Sequence, residues 1–360
     1  MSRKPPGAGR CAVVAAAGKV LAAAREALRS IDPDAAAMEW MGPPLVSAQS
    51  VIYVLGLRHE PPRYVVKVMA ASGGALSAAA QFAALRTCHD WWQGEDRHAV
   101  PRPVALLPGG DGLVLEHVRG ESAARILSRV LARPGAALAA AGAAGDFLGR
   151  LHRHGEAGVG QVRLADLVAE IRASEAADLA PIGLALPSAV HRSLDRAPAI
   201  TISVRRVRLH GDFTPRNVLV TAPAQVAVID PTLQVTGLAE DDPAAFLTLM
   251  SSAPVFAGGL VLPPLGAARR RLEATFLAGY GPDGLSPVVL PLRLIYEQMW
   301  RWAYRRRPGA ARRAGALADL RARLIDAQMS ALLEESAGLL DRALAAAAAG
   351  EGRRRRRAPA

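Results

Sequence analysis

One short β-patterned stretch interrupts the helical second half of this 360-residue chain: RLHGDFTPRNVLV, residues 208–220, followed after the turn-prone APAQ by VAVIDPT, residues 226–232. Two apolar runs enclose an acid, a proline and an amide, where a plain core strand needs only alternating hydrophobics. Asp212 and Asn217 stand five residues apart. Pro215 lies between them to reverse the chain, and Asp230 sits at the end of the next apolar run. Such a turn, carried by its neighbours, calls for a fold that delivers strands to it from outside the helical part.

The first ~115 residues supply them. SVIYVLGL (50–57) and RYVVKVMA (63–70) are β-branched and aromatic runs joined by RHEPP, and VPRPVALLPGGDGLVLEHV (100–118) reads as two more strands around PGGDG. Between these pairs, GALSAAAQFAALRTCHDWW (74–92) has helical periodicity, as does an N-terminal segment at about 13–31. Beyond residue 120 helices dominate: 136–155 stopped by Gly155, 164–179, 187–197, 286–307, and a last one from about 314 to 349. A chain of this length exceeds the roughly 250–300 residues that one core supports. The expected fold is therefore α+β in two lobes: residues 1–116 with an antiparallel sheet plus helix, residues 117–349 mainly helical, and a basic disordered tail at 350–360.

Charge and composition remove several classes of function. The net charge is +12, but five of those charges come from Arg353–Arg357 and the rest are scattered arginines without interleaved aromatics, so no nucleic-acid partner is expected. One polybasic run is insufficient for a stable membrane anchor. The uncharged stretch 243–268 contains four prolines and two adjacent glycines and reads as a buried helix followed by a loop. Lys19 breaks the N-terminal apolar run too early for an export signal, and Cys11 and Cys88 have no metal-ligand spacing, so a cytoplasmic protein with reduced thiols is expected. Nothing in the sequence fixes an oligomeric state.

Phosphoryl transfer asks a protein to orient a nucleophile, to hold magnesium with hard oxygens and to offer a cation to the polyphosphate. Asp212 is placed to accept the proton of an acceptor hydroxyl, Asn217 and Asp230 to hold the metal, and Lys67, a lysine among strand valines, to contact phosphate oxygens. His210 is expected to brace the loop rather than to act as acid or base. Arg216 is read equally as a substrate contact and as a solvent-facing side chain. His152 and His154 beside Arg153 are explained by the dipole at a helix end.

The strand lysine, HGDFTPRN and the following VIDP resemble the aminoglycoside phosphotransferase family, small-molecule relatives of the protein kinases. FLGRLHRHG (147–155) and EDDPAAFLTLM (240–250) are similar to the family's flanking segments, and the resemblance covers about 45–305. It implies a bilobal kinase-like fold that binds ATP with Mg2+ in the cleft, adenine pairing with the backbone at Glu116, His117 and Val118, and an acceptor pocket built by late helices. On the last point Glu297, Trp300 and Tyr304 share one helix face, although such a stripe is more often core.

The sequence also departs from the family. No glycine lies between Pro43 and Val54, so amides around Ser47, Gln49 and Ser50 must cover the phosphates. Gln81 stands where the lysine-pairing glutamate is expected, and Phe246 where the family often has Asp, with Asp242 keeping the preceding acidic position. The expected activity is ATP-dependent O-phosphorylation of a small aminoglycoside-, choline- or sugar-like acceptor, for which Glu240, Asp241 and Asp242 are the one dense acidic cluster near the site. The alternative is a catalytically weak or inactive nucleotide-binding pseudokinase that serves as a scaffold.

Overall fold

The computed structural model describes residues 8–47, 49–70, 77–257, 262–281, 284–306 and 316–357. The chain divides into two compact units, residues 1–120 with 227–232 and residues 121–226 with 233–360. The short returning segment gives the first unit its Asp230.

The N-terminal unit contains α1 (Ala8–Leu28), β1 (Glu39–Trp40), β2 (Leu45–Val46), β3 (Ser50–Gly56), β4 (Tyr64–Met69), α2 (Ala78–Trp91), β5 (His98–Ala99), β6 (Pro103–Leu106) and β7 (Gly112–Glu116). Its main sheet has the order β1-β3-β4-β7-β6, with β2 on β3. These pairs are antiparallel, as expected for strands joined by tight turns. Lys67 sits on the central strand, opposite Ile52 on one side and Leu113 on the other. Ala24 and Leu28 of α1 bury against Tyr53, Leu55, Tyr64, Val66 and Val114, which closes one apolar core. α2 begins where the Ser77 side chain accepts from the Ala80 amide at 3.1 Å, and it buries Ala78, Gln81, Ala84, Leu85 and Cys88. Cys88 is a free thiol, pushed up to about 12 by burial. Gln81 is the one strongly polar residue in that buried strip.

The C-terminal unit continues with β8 (Glu121–Ser122), α3 (Ala123–Leu127), α4 (Pro134–His154), β9 (Glu156–Arg163), α5 (Leu164–Ser174), α6 (Ser188–Asp195), β10 (Thr201–Arg208) and β11 (Val218–Ala222). β12 (Gln225–Val228) carries the chain across the unit boundary, and β13 (Thr236–Leu238), α7 (Asp241–Ser251), α8 (Pro254–Ala257), α9 (Pro263–Tyr280), α10 (Val289–Arg306) and α11 (Ala316–Arg357) complete it. One large core joins Leu164, Leu167 and Ile171 of α5, Val190 and Leu194 of α6, Leu292 and Ile295 of α10, and Leu333 and Leu340 of α11.

At Gly145 and Gly149, α4 meets the backbone of α9 directly. A Cβ on Gly145 would lie 2.0 Å from the Phe276 carbonyl oxygen, and one on Gly149 2.3 Å from that of Tyr280. The glycines thus bring the end of α4, with Phe147 and His152, against the end of α9, with Phe276 and Tyr280.

One strand pair is added to the sequence reading and one expectation is corrected. The pairing of β9 with β10 is absent from the pattern reading because β9, EAGVGQVR, has no fully buried residue to set a period. The last helix runs to Arg357, so the arginine run expected to be disordered continues the helix, in line with the good helix propensity of arginine. Residues 358–360 lie outside the described residues.

Candidate active site

In the N-terminal unit, Lys67 is 8% exposed. Its ammonium donates to Asp230 Oδ1 at 2.8 Å, and the amide nitrogen of Gln81 donates to the same oxygen at 3.0 Å. Asp230 adopts φ 62°, a left-handed conformation uncommon for a residue other than glycine. Lys67 is therefore held by a carboxylate, and Gln81 supports that carboxylate instead of taking the lysine itself. Gln81 Oε1 is buried and has no hydrogen-bond partner among the described residues.

The segment expected to cover phosphates is tied to itself. The Ser47 hydroxyl accepts from the Gln49 amide at 3.2 Å and the Ser50 amide at 2.9 Å, while the Ser47 amide donates to the Ser50 carbonyl at 2.9 Å. Ala48 lies outside the described residues. At the proposed adenine edge, the Glu116 amide donates to the Arg102 carbonyl and the His117 amide to the Arg63 carbonyl. Val118 follows the end of β7, and its amide has no backbone partner among the described residues.

In the C-terminal unit, the loop after β10 is held from both ends. The buried Asp242 carboxylate accepts from the amides of His210 at 2.6 Å and Gly211 at 3.0 Å. His210 is fully buried, and its Nδ1 accepts from the Asp212 amide at 3.3 Å, the bracing role expected of it. Gly211 takes φ 84°, a turn for which glycine carries no steric cost. Beyond the turn, the Asn217 amide nitrogen donates to the Asp212 carbonyl and to Asp212 Oδ2, each at 2.9 Å. The Pro215 carbonyl accepts from the Ala124 amide at 2.8 Å. Asp212 is thus presented at the surface on a fixed loop.

Asp242 has a second partner that the sequence reading missed. His152 Nε2 lies 3.1 Å from Asp242 Oδ2, and Nδ1 lies 2.8 Å from the Tyr280 hydroxyl. For a neutral ring this means donation from Nε2 to the carboxylate and acceptance from the phenol. His152 is therefore a buried link in the loop's support rather than a residue answering a helix dipole. Burial pushes the Asp242 carboxyl up, but the hydrogen bonds from the His152 ring and the His210 amide, with the two imidazoles close by, more than offset it and hold the group below its ordinary value. Phe246 packs in an aromatic row, 5.3 Å from Phe213 and 4.5 Å from Phe276, centroid to centroid.

The acidic cluster is not open to a cationic acceptor. Glu240 is 1% exposed and accepts from the Ser286 amide at 2.6 Å. Asp241 pairs with Arg293 at 2.7 Å and accepts from the Leu238 amide at 2.9 Å. With Asp242 holding the His210 and Gly211 amides from α7, all three acids are committed inside the unit. Burial raises the carboxyls of Glu240 and Asp241 despite these partners.

Magnesium takes hard oxygens, commonly one or two carboxylates. Among the described residues no three His, Cys, Asp or Glu side chains gather into a cage. Hard oxygens of this kind are carried by Asp230 in the N-terminal unit and, in the C-terminal unit, by Asn217, whose amide nitrogen is engaged with Asp212.

A lysine on the central strand of an antiparallel sheet, with a helix-braced His-Gly-Asp loop in a helical unit, defines an α+β fold of the protein-kinase type. The chain belongs to the phosphotransferase enzyme family (APH), which it matches over residues 45–290. No curated protein sequence matches it. Solved structures with this fold include a glucosamine kinase (20% identity, TM-score 0.52, covering 92% of this chain and 82% of the other). A choline kinase from Cryptosporidium parvum Iowa II is 11% identical, with TM-score 0.51, covering 90% of this chain and 96% of the other. An amicoumacin kinase in complex with AMP-PNP, Ca2+ and Ami is 14% identical, with TM-score 0.50, covering 85% and 94%. At these identities the likeness is one of fold. Among the described residues no helix is long and apolar enough to cross a membrane.

Proposed function

We propose that this chain is an ATP-dependent O-phosphotransferase acting on a hydroxyl of a small molecule. The observation that carries the reading is the double tether of Asp212, by Asn217 from one side and by His210 and Asp242 from the other. A surface aspartate that only capped a turn would not need a buried His–Asp–Tyr relay behind its loop.

In the proposed reaction the acceptor oxygen attacks the γ-phosphorus, the new O–P bond forms, and the bond from that phosphorus to the β–γ bridging oxygen breaks to release ADP. Asp212 takes the hydroxyl proton. Asn217 keeps the Asp212 carboxylate turned toward the acceptor and, with Asp230, is assigned to Mg2+. The ion's contribution is to neutralise charge on the polyphosphate. Lys67 is assigned to the phosphate oxygens, Ser47, Gln49 and Ser50 to the loop beside them, and Glu116, His117 and Val118 to the adenine edge.

The test is turnover of ATP with a panel of alcohols by wild type and by Asp212→Asn. Loss of a general base predicts a fall of about 10²–10⁴-fold in kcat, with the thermal shift produced by ATP and magnesium retained. The self-tied Ser47 loop and the neutral Gln81 favour one rival, a nucleotide-binding scaffold. An ATP shift without turnover of any acceptor would support that rival.

A further inference from the structure

Helices α7, α9, α10 and α11 border an open pocket of about 430 Å³ within the C-terminal unit, walled by Leu247 and Ser251 of α7, Leu277 of α9, Leu294 of α10, and Leu332 and Leu339 of α11. It lies on the far side of α7 from the catalytic loop. Asp242 and Phe246 face that loop, through the His210 and Gly211 amides and the Phe213 ring. At 3.6 residues per turn, Leu247 and Ser251 are directed about 140° away from them. Asp212 and Asn217 are not among the residues that line the pocket. Gln298 of α10 is the lining group left incomplete. It is 4% exposed, its Oε1 accepts from the Ser336 hydroxyl at 3.1 Å, and its amide nitrogen donates to nothing among the described residues. The buried charges satisfy one another: Arg269 donates to Glu273 and to Glu335, and the Ser251 hydroxyl donates to Glu273.

Leaving a buried donor unsatisfied is costly, so the Gln298 nitrogen calls for an acceptor brought from outside the chain. Walls of leucine and proline call for an apolar body, and the volume is that of a small-molecule site, roughly 300–1,000 Å³. Charge then narrows the class. The charged residues of the lining are Arg269, Glu273, Glu335 and Arg342, two of each sign. A carboxylate would meet Glu273 and Glu335, and an ammonium would meet Arg269 and Arg342, so either ion would be desolvated without a net opposite charge. We propose that this pocket is a second binding site, separate from the catalytic loop, for an uncharged aliphatic molecule with one hydrogen-bonding head. A fatty amide or alcohol is of this class, its oxygen accepting from the Gln298 amide and its chain lying on the leucines. The proposal stands independently of the phosphotransferase reading.

Calorimetric titration of the full chain with octanamide and octanol, against octanoate and octylammonium of the same chain length, tests it. One octanamide per chain is expected, bound at least about tenfold tighter than either ion. Gln298→Leu, which removes the donor and nearly keeps the volume, is expected to weaken octanamide about fivefold, the worth of one hydrogen bond. Leu339→Trp adds bulk at the mouth from a position 40% exposed, where folding has little at stake, and is expected to abolish binding. Asp212→Asn is expected to bind octanamide as wild type does, because the pocket and the loop lie on opposite sides of α7. No uptake of either neutral probe, an ion binding as tightly, or an octanamide affinity unmoved in both pocket variants would overturn the assignment. Loss of binding in Asp212→Asn would overturn it too, by moving the probe to the catalytic loop. So would a dimer in sedimentation that Leu339→Trp splits, since a second copy of this chain would then be the occupant.

Discussion

Gln81 shows how one neutral side chain sets the charge balance of a buried site. Lys67 and Asp230 offer one positive and one negative charge, and the Gln81 amide adds a donor without adding a third charge. Gln81→Glu would place two carboxylates on one ammonium, so it is expected to lower stability by roughly 1–3 kcal/mol in chemical denaturation. Gln81→Met, which removes only a hydrogen bond, should cost about 1 kcal/mol. Asp242→Asn removes the charge on which two amides and His152 depend, so a loss of about 2–4 kcal/mol and a lower kcat are expected together. Equal activity at reduced stability would separate the brace from the chemistry. The Asp212–Asn217 pair was legible in the sequence because its spacing is local. His152 was not, since its meaning depends on Asp242, ninety positions away, and on Tyr280, farther still. The acidic run at 240–242 misled for the same reason: adjacency in sequence says nothing about partners such as Ser286 and Arg293.

At the scale of elements, the seam between α4 and α9 makes the clearest prediction. Gly145→Ala or Gly149→Ala puts a methyl group into main-chain atoms of the facing helix, where no side chain can move aside. Overpacking of this kind typically costs about 1–3 kcal/mol, and here the upper end or more is expected in a denaturant titration, although alanine is the better helix former. The strands β3, β4, β6 and β7 and most helices follow from periodicity and punctuation. β9 does not, because EAGVGQVR is exposed or half-exposed throughout and has no buried position to set a hydrophobic period. The seam itself was also hidden, since a glycine in a helical pattern signals only weakness until its neighbour is known.

Across the whole molecule, buried carboxyls set the response to pH. Glu240, Asp241, Glu273 and Glu297 are raised, mainly by burial, while Asp32 and Asp242 are lowered. A lowered acid stabilises above its unfolded value of 3.8, and that gain is lost as pH falls through the folded value. A raised acid holds its proton in the folded state, so stability declines as pH climbs from the unfolded value toward the folded one. The four raised groups act at higher pH than the two lowered ones, so stability is expected to decline as pH climbs above the ordinary carboxyl values of 3.8 and 4.5, by at most about 1.4 kcal/mol per pH unit for each proton, read as a falling melting temperature. Glu240→Gln, which keeps an acceptor for the Ser286 amide, should flatten the decline. An unchanged slope in that variant would exclude Glu240 as a source.

The close approach of α4 and α9 also bears on motion. Main chain has no rotamers to exchange, so the two helix ends, with the imidazole and the phenol they carry, must shift as one piece or stay still. Whatever hinge serves an acceptor entering this unit therefore has to be sought away from that pair, and deuterium should reach its amides last.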